Sequence, residues 1–217
     1  MNKITKRIIV YIIGVFLLAL GASISIKAEL GVSPVSSLGY ALSLVVGMSV
    51  GLGTFLSNIV FIFFQFIISG KFEFKNYVIQ LMLAVVISLF IDLTIAMTNV
   101  LPDAETFWLK VVYLIISLFV IAAGVFLYFN TRLPVSPYDA LLPIMRERFN
   151  ITVAKAKIIG DMTNVTISAI ICLVFLKKFG AIGIGTFVAA YFIGKILGAI
   201  MKRLRSPLLR YMELEEI

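Results

Sequence analysis

The residues best able to do chemistry in this chain are few, and they stand inside or beside long apolar runs. Asp92, Asp139, Asp161 and Lys195 are the four ionisable residues placed this way. An ionisable side chain in hydrocarbon costs roughly 2.5–3.5 kcal/mol on insertion scales, so each is a functional candidate by default. Ser33 and Ser136 recur in one tripeptide, at Val32-Ser33-Pro34 and Val135-Ser136-Pro137. Ser followed by Pro starts a helix, because Ser caps free N–H groups and Pro at the first position has no N–H to lose. The free N–H groups that remain make an anion-receptive end, although plain capping at an interface accounts for the same residues.

Asp139 follows Ser136 by three residues and falls in the first turn, where the helix dipole favours an acid. The sharper reading is that it titrates or coordinates a cation. Ser36 holds the corresponding place after Ser33, and Tyr138 stands beside Asp139. Asp161 shares a helix face with Asn164 three residues on, and Asn58 with Gln65 forms an uncharged stripe. Either stripe lines a polar cavity or joins helices by hydrogen bonds. Arg132 precedes its Ser-Pro unit and offers a partner for an anion, or is an ordinary loop arginine. The expected substrate-binding set is therefore Ser33, Ser36, Asn58, Arg132, Ser136, Tyr138, Asp139, Asp161 and Asn164. The expected ion-coupling set is Asp92, Asp139 and Asp161. For Asp92 and Lys195 the competing explanation is a structural ion pair, or a lysine that snorkels to the interface.

Composition narrows the chemistry. Of 217 residues 61% are hydrophobic and only 14% charged, an apolar excess that only lipid accommodates. The net charge of +8 does not point to nucleic acid, since the basic residues sit mainly at the ends of apolar runs. There is no histidine, and Cys172 is the only cysteine, which excludes internal disulfides, Cys/His zinc sites and Cys-His or Ser-His catalysis. No catalytic residue, metal or cofactor is expected, and the chain is not read as an enzyme.

Six apolar runs near 7–26, 50–69, 77–98, 108–129, 153–176 and 181–201 each match the roughly 20 residues needed to cross a bilayer. Two shorter stretches, 34–46 and 137–148, follow the Ser-Pro units and predict short helices, either interfacial or re-entrant. With the amino terminus inside, Lys3, Lys6, Arg7, Lys71, Lys75, Arg132, Arg146, Arg148, Lys155, Lys157 and the run from Lys202 to Arg210 all fall inside. This asymmetry predicts both termini in the cytoplasm. The run from Lys202 to Arg210, with Glu213, Glu215 and Glu216, reads as a solvated tail.

Sliding the chain by 103 residues aligns Ile12, Ile13, Phe16, Ala19, Gly21, Leu30, Val32, Ser33, Pro34 and Leu38 with identical residues, ten in 27 positions. At the same offset Gly47-Met48-Ser49-Val50-Gly51 meets Asn150-Ile151-Thr152-Val153-Ala154. Such self-similarity predicts a duplication, with a first repeat over 1–103 and a second over 104–217. Because each unit holds three spans and one short helix, the second copy enters the membrane from the opposite side. The expected fold is an all-α membrane protein of six transmembrane helices in two inverted three-span repeats, each carrying a short re-entrant or interfacial helix. Glycines 14, 21 and 124, and Gly183 with Gly185, are expected to let helices pack closely or bend.

Ala28-Glu29-Leu30-Gly31-Val32-Ser33-Pro34, Gly47-Met48-Ser49-Val50-Gly51, Leu133-Pro134-Val135-Ser136-Pro137-Tyr138-Asp139-Ala140-Leu141 and Gly183-Ile184-Gly185-Thr186 resemble the bacterial YczE/YyaS/YitT-type integral membrane family over nearly the whole chain. Ser36 departs from a symmetric pattern of acidic residues. The resemblance implies a bacterial inner-membrane protein of a family suspected of transport. Inverted halves and interrupted helices are the architecture of secondary transporters. The leading expectation is a carrier of a small solute, with anionic and zwitterionic classes in view, working by alternating access and coupled, if at all, to H⁺ or Na⁺. The alternatives are a solute-capture subunit of a multicomponent uptake system and a non-transporting membrane scaffold. Expected partners are membrane lipid and a small-molecule solute, with a homodimer or a partner membrane protein left open.

Overall fold

The computed structural model describes residues 2–214, and among them it contains eight helices and no strand. They are α1 (Lys3–Lys27), α2 (Pro34–Val46), α3 (Val50–Ser69), α4 (Phe74–Thr98), α5 (Phe107–Asn130), α6 (Pro137–Phe149), α7 (Val153–Leu176) and α8 (Ile184–Tyr211). Six of these, all except α2 and α6, are long and apolar enough to cross a membrane. The chain is a multi-pass membrane protein.

Local chemistry sets most helix ends. Ser33 Oγ accepts the Ser36 amide at 3.4 Å and Ser136 Oγ the Asp139 amide at 3.3 Å, each ahead of a proline. Ser49, Thr106 and Thr152 cap α3, α5 and α7 in the same way. The short helices stop at left-handed residues, Gly47 at φ 73° and Asn150 at φ 49°, a conformation that Gly and Asn adopt most cheaply.

The centre of the molecule is the crossing of α1 and α5. Gly14 lies against Tyr128, Leu18 against Gly124 and Gly21 against Ile121, so the two helices run antiparallel with their backbones nearly touching. Lipid offers no hydrophobic drive between helices, and close small-residue packing supplies dispersion instead. α4 packs on α1 and α8 on α5, while α2 sits between α7 and α3, and α6 between α3 and α7. The short helices are thus wedged among the spans. Buried hydrogen bonds join them: Ser23 with Thr94 at 2.8 Å, Ser168 Oγ to Ser37 Oγ at 3.0 Å, and Gln65 Nε2 to the Pro137 carbonyl at 2.8 Å.

The segment from Lys202 to Arg210, expected as tail, instead continues α8. Pro207 is tolerated there because the carbonyl it leaves unbonded, on Arg203, is at an exposed position. Leu209 and Met212 then bury against Val10, and Lys6 Nζ reaches Glu213 at 2.5 Å. Both ends of the described chain therefore lie on one face. On the opposite face Lys27 pairs with Asp103, and Lys110 with Glu29 at 2.6 Å. Each lysine holds the neighbouring carboxyl in place there. Asp103 and Glu213 both sit below their ordinary carboxyl range, first because of the hydrogen bond from the lysine and then because of its charge. Glu215 and Glu216 lie outside the described residues.

Candidate functional site

A cavity of about 230 Å³ lies between α1, α3, α4, α5, α7 and α8, and the N-terminal ends of both short helices open into it. Ser33 and Ser36 reach it from α2, and Ser136, Tyr138 and Asp139 from α6. Thr54 and Asn58 come from α3, Lys157 and Asp161 from α7, and Tyr128 from α5. Leu18, Ala22, Ile87, Ile91, Ile121, Val125, Ile193 and Leu197 make apolar walls. The volume is just under the roughly 300–1,000 Å³ of ligand pockets, which suits a small solute.

The polar residues form two groups. At the head of α2, Ser33 Oγ and Ser36 Oγ are 3.0 Å apart, and Asn58 donates to the Thr54 carbonyl at 3.0 Å. No side chain in this group carries charge. At the head of α6, Asp139 Oδ2 accepts the Ser136 hydroxyl at 2.7 Å and the Tyr128 hydroxyl at 3.1 Å, and the Ser136 amide donates in turn to the Tyr128 oxygen. Beside it Lys157 stands 3.1 Å from Asp161 Oδ2, its ammonium 5.4 Å from the centre of the Tyr138 ring. The Tyr138 hydroxyl donates to Asp161 Oδ1. Gly160 makes room for that hydroxyl, since a Cβ there would lie 3.0 Å from it. Phe61 packs edge-on to the same ring, with centroids 5.3 Å apart.

Seven of the expected binding residues thus meet in one cavity: Ser33, Ser36, Asn58, Ser136, Tyr138, Asp139 and Asp161. Two do not line it. Arg132 stands at an exposed position with φ 54°, its carbonyl taken by Arg7 Nη2 at 3.0 Å. Asn164 is 3% exposed, one turn beyond Asp161, with an amide nitrogen that meets no hydrogen-bond partner among the described residues. Asp92 also lies apart from the cavity lining. Its Oδ1 accepts the Gly51 amide at 2.7 Å and its Oδ2 the Ser49 hydroxyl at 2.8 Å, so it secures the start of α3. Gly51 has no side chain because one would collide with Asp92 and the Ser88 carbonyl. Lys195 donates to the Tyr191 hydroxyl at 2.5 Å, so the Asp92–Lys195 ion pair weighed from the sequence is replaced by separate partners. Gln65, expected in one stripe with Asn58, bonds instead to Gln80 at 2.7 Å and to the Pro137 carbonyl.

Sequence reasoning missed four polar lining residues, Thr54, Ser57, Tyr128 and Lys157. The charge asymmetry of the chain makes Lys157 look like an inside-flanking lysine, yet it lies one helical turn before Asp161 and 103 residues beyond Thr54. The repeat register that linked Ser33 to Ser136 contained that signal.

Residues 5–202 match the family described as "Family of unknown function (DUF6198)". The chain belongs to this family. The DUF6198 match includes every residue that lines the cavity. The chain is also similar to "Uncharacterized protein YyaS" of Bacillus subtilis (strain 168), 28% identical over 191 residues, covering 88% of this chain and 90% of the relative. Of the YczE/YyaS/YitT-type resemblance, YyaS is the part this match carries. No solved structure matches.

Proposed function

We propose that this DUF6198 protein is a carrier that moves a small solute across the bacterial cytoplasmic membrane by alternating access of two inverted repeats. One observation carries the reading: eight of the eleven polar residues lining the cavity pair at the offset of the sequence repeat. Ser33 and Ser136, Ser36 and Asp139, Thr54 and Lys157, and Asn58 and Asp161 are each 103 residues apart, and all eight line the cavity. A scaffold has no need to assemble corresponding positions of both copies around a void, whereas a carrier whose halves exchange conformations does.

Inversion is supported by the α1–α5 crossing. These helices occupy corresponding places in the two units yet run antiparallel, and the contact of Gly21 with Ile121 repeats as that of Gly124 with Leu18. Arg7 on the Thr131 and Arg132 carbonyls likewise mirrors Lys110 on Glu29, at the same offset and on opposite faces. The wedged short helices then re-enter the membrane from opposite sides. Alternating access amounts to a rocking of one three-span unit against the other about α1 and α5, so that the heads of α2 and α6 face each side in turn. Asp139 and Asp161, both at the cavity, are the groups suited to ion coupling. Asp92 acts as a helix-positioning residue in this scheme, and no step calls for catalysis or a cofactor. Both ends of the described chain lie on one face, with Lys3, Lys6 and Arg7, and we take that face as cytoplasmic.

The test is a thermal-stability screen of the purified protein against small metabolites, followed by uptake of any stabilising solute into liposomes. A ligand at a hundredfold excess over Kd stabilises the native state by about 2.7 kcal/mol. Ser136→Ala and Asp139→Asn are expected to weaken that response. Binding without uptake would replace the carrier by a capture subunit. A blank screen with no uptake would favour a scaffold.

A further inference from the structure

Four pairs of polar residues in the cavity occupy corresponding positions, and three of these pairs differ in charge. Ser36, Thr54 and Asn58 on the first side are neutral, and their counterparts Asp139, Lys157 and Asp161 on the second are ionisable. Among the described residues the only cationic side chain lining the cavity is Lys157, and Asp161 already holds it at 3.1 Å. That leaves Asp139, which meets two hydroxyl donors and a helix end but no cationic side chain within ion-pair distance. An anionic solute at the head of α6 would face this carboxylate across a low-dielectric void. The helix end, which attracts anions, is already served by Asp139.

We infer that the site selects a protonated amine, with the ammonium head against Asp139 and its apolar body along the walls formed by Leu18, Ile121, Ile87 and Ile91. The inference rests on the carrier reading and narrows it. Asp139 supplies the countercharge, and the Tyr128 and Ser136 hydroxyls, which can accept as well as donate, are the neutral partners of the ammonium hydrogens. The apolar walls desolvate an aliphatic body. The neutral head of α2 opens into the same void, and a solute carboxylate fits there, so the site accommodates the ammonium of a simple amine and that of an amino acid. The same lining argues against the anionic class expected from the helix ends alone.

The cavity's charge can be read without knowing the solute. In a Cys172→Ala background, Ser36→Cys is treated with 2-aminoethyl and with 2-sulfonatoethyl methanethiosulfonate, and each rate is divided by that of the same reagent with 2-mercaptoethanol. The cationic reagent is expected to be favoured about tenfold or more, the low end of what a cleft of opposite charge does to on-rates. Asp139→Asn is expected to remove most of that preference. Saturating 3-methylbutylamine is expected to protect the thiol, and 4-methylpentanoate to leave it reactive. Protection by leucine as well assigns an amino acid, and protection by the amine alone assigns a simple amine. A preference for the sulfonate reagent, protection by the acid, or no protection by the amine overturns the inference and leaves the carrier reading standing. Failure of both reagents to react at Ser36→Cys and at Thr54→Cys removes the accessible cavity, and with it both readings. Thr54→Cys also serves if Ser36→Cys fails to fold.

Discussion

Gly124→Ala should destabilise this protein more than its single added methyl suggests, because α1 and α5 meet backbone to backbone there. A Cβ at position 124 would lie 2.5 Å from the Leu18 amide nitrogen and 2.8 Å from the Gly14 carbonyl oxygen, whereas ordinary contact begins at 3.4 Å. Neither atom can turn aside, since both belong to helix backbone. The helices must separate by about 1 Å, and a gap of that size forfeits roughly a quarter to a half of each dispersion contact along the crossing. Overpacking of this kind costs about 1–3 kcal/mol. Gly21→Ala meets the corresponding obstacle, with Ile121 Cγ1 at 2.5 Å and its nitrogen at 2.8 Å, and should cost a similar amount. Gly198→Ala is the control, because a Cβ there meets nothing within 4 Å. It should be neutral, or stabilising by up to about 1 kcal/mol from helix propensity. Equilibrium unfolding in mixed micelles of rising dodecyl sulfate content reads all three. A Gly124→Ala protein within about 0.5 kcal/mol of the parent, the usual range of a harmless surface change, would refute the packing argument.

Further outcomes follow from contacts away from the crossing. Asp92→Asn should lower stability by about 1–3 kcal/mol by weakening the anchor of α3, while solute affinity in the stability screen stays within twofold. Ser168→Ala breaks the buried link to Ser37 and should cost about 1 kcal/mol in the same unfolding assay. Asp103 and Glu213 are held below their ordinary values by Lys27 and Lys6. A carboxyl lowered in the folded state contributes stability above its unfolded pKa and loses it as pH falls through the folded one. Asp103→Asn should therefore reduce stability slightly at neutral pH and flatten the acid limb below about pH 4, a difference that 1 M salt removes.

The helices were legible because their signals are local. Twenty-residue apolar runs and the Ser-Pro starts at Ser33 and Ser136 act over a turn or two. The continuation of α8 through Pro207 was not legible, because it depends on Leu209 and Met212 finding Val10 at the far end of the chain. Apolar context also exaggerated Asp92. Six residues from the end of α4, it lies beside the start of α3, whose amide and hydroxyl it accepts. The cavity was legible in half. Residues that break an apolar run stand out, so Asp139 and Asp161 were visible, but Lys157 near the start of its helix looked like an ordinary flanking lysine. Tyr128 looked like one more aromatic in a greasy span, since only its hydroxyl's reach to Asp139 and Ser136 distinguishes it.

The most direct test of the central claim is the sidedness of the cavity. Thr54→Cys in the Cys172→Ala background, reconstituted in one orientation, is labelled with a membrane-impermeant maleimide from each side of the vesicle in turn. Alternating access predicts reaction from both sides in the absence of solute, and a solute found in the stability screen should shift the ratio of the two rates. Labelling from one side only, unchanged by such a solute, would contradict it.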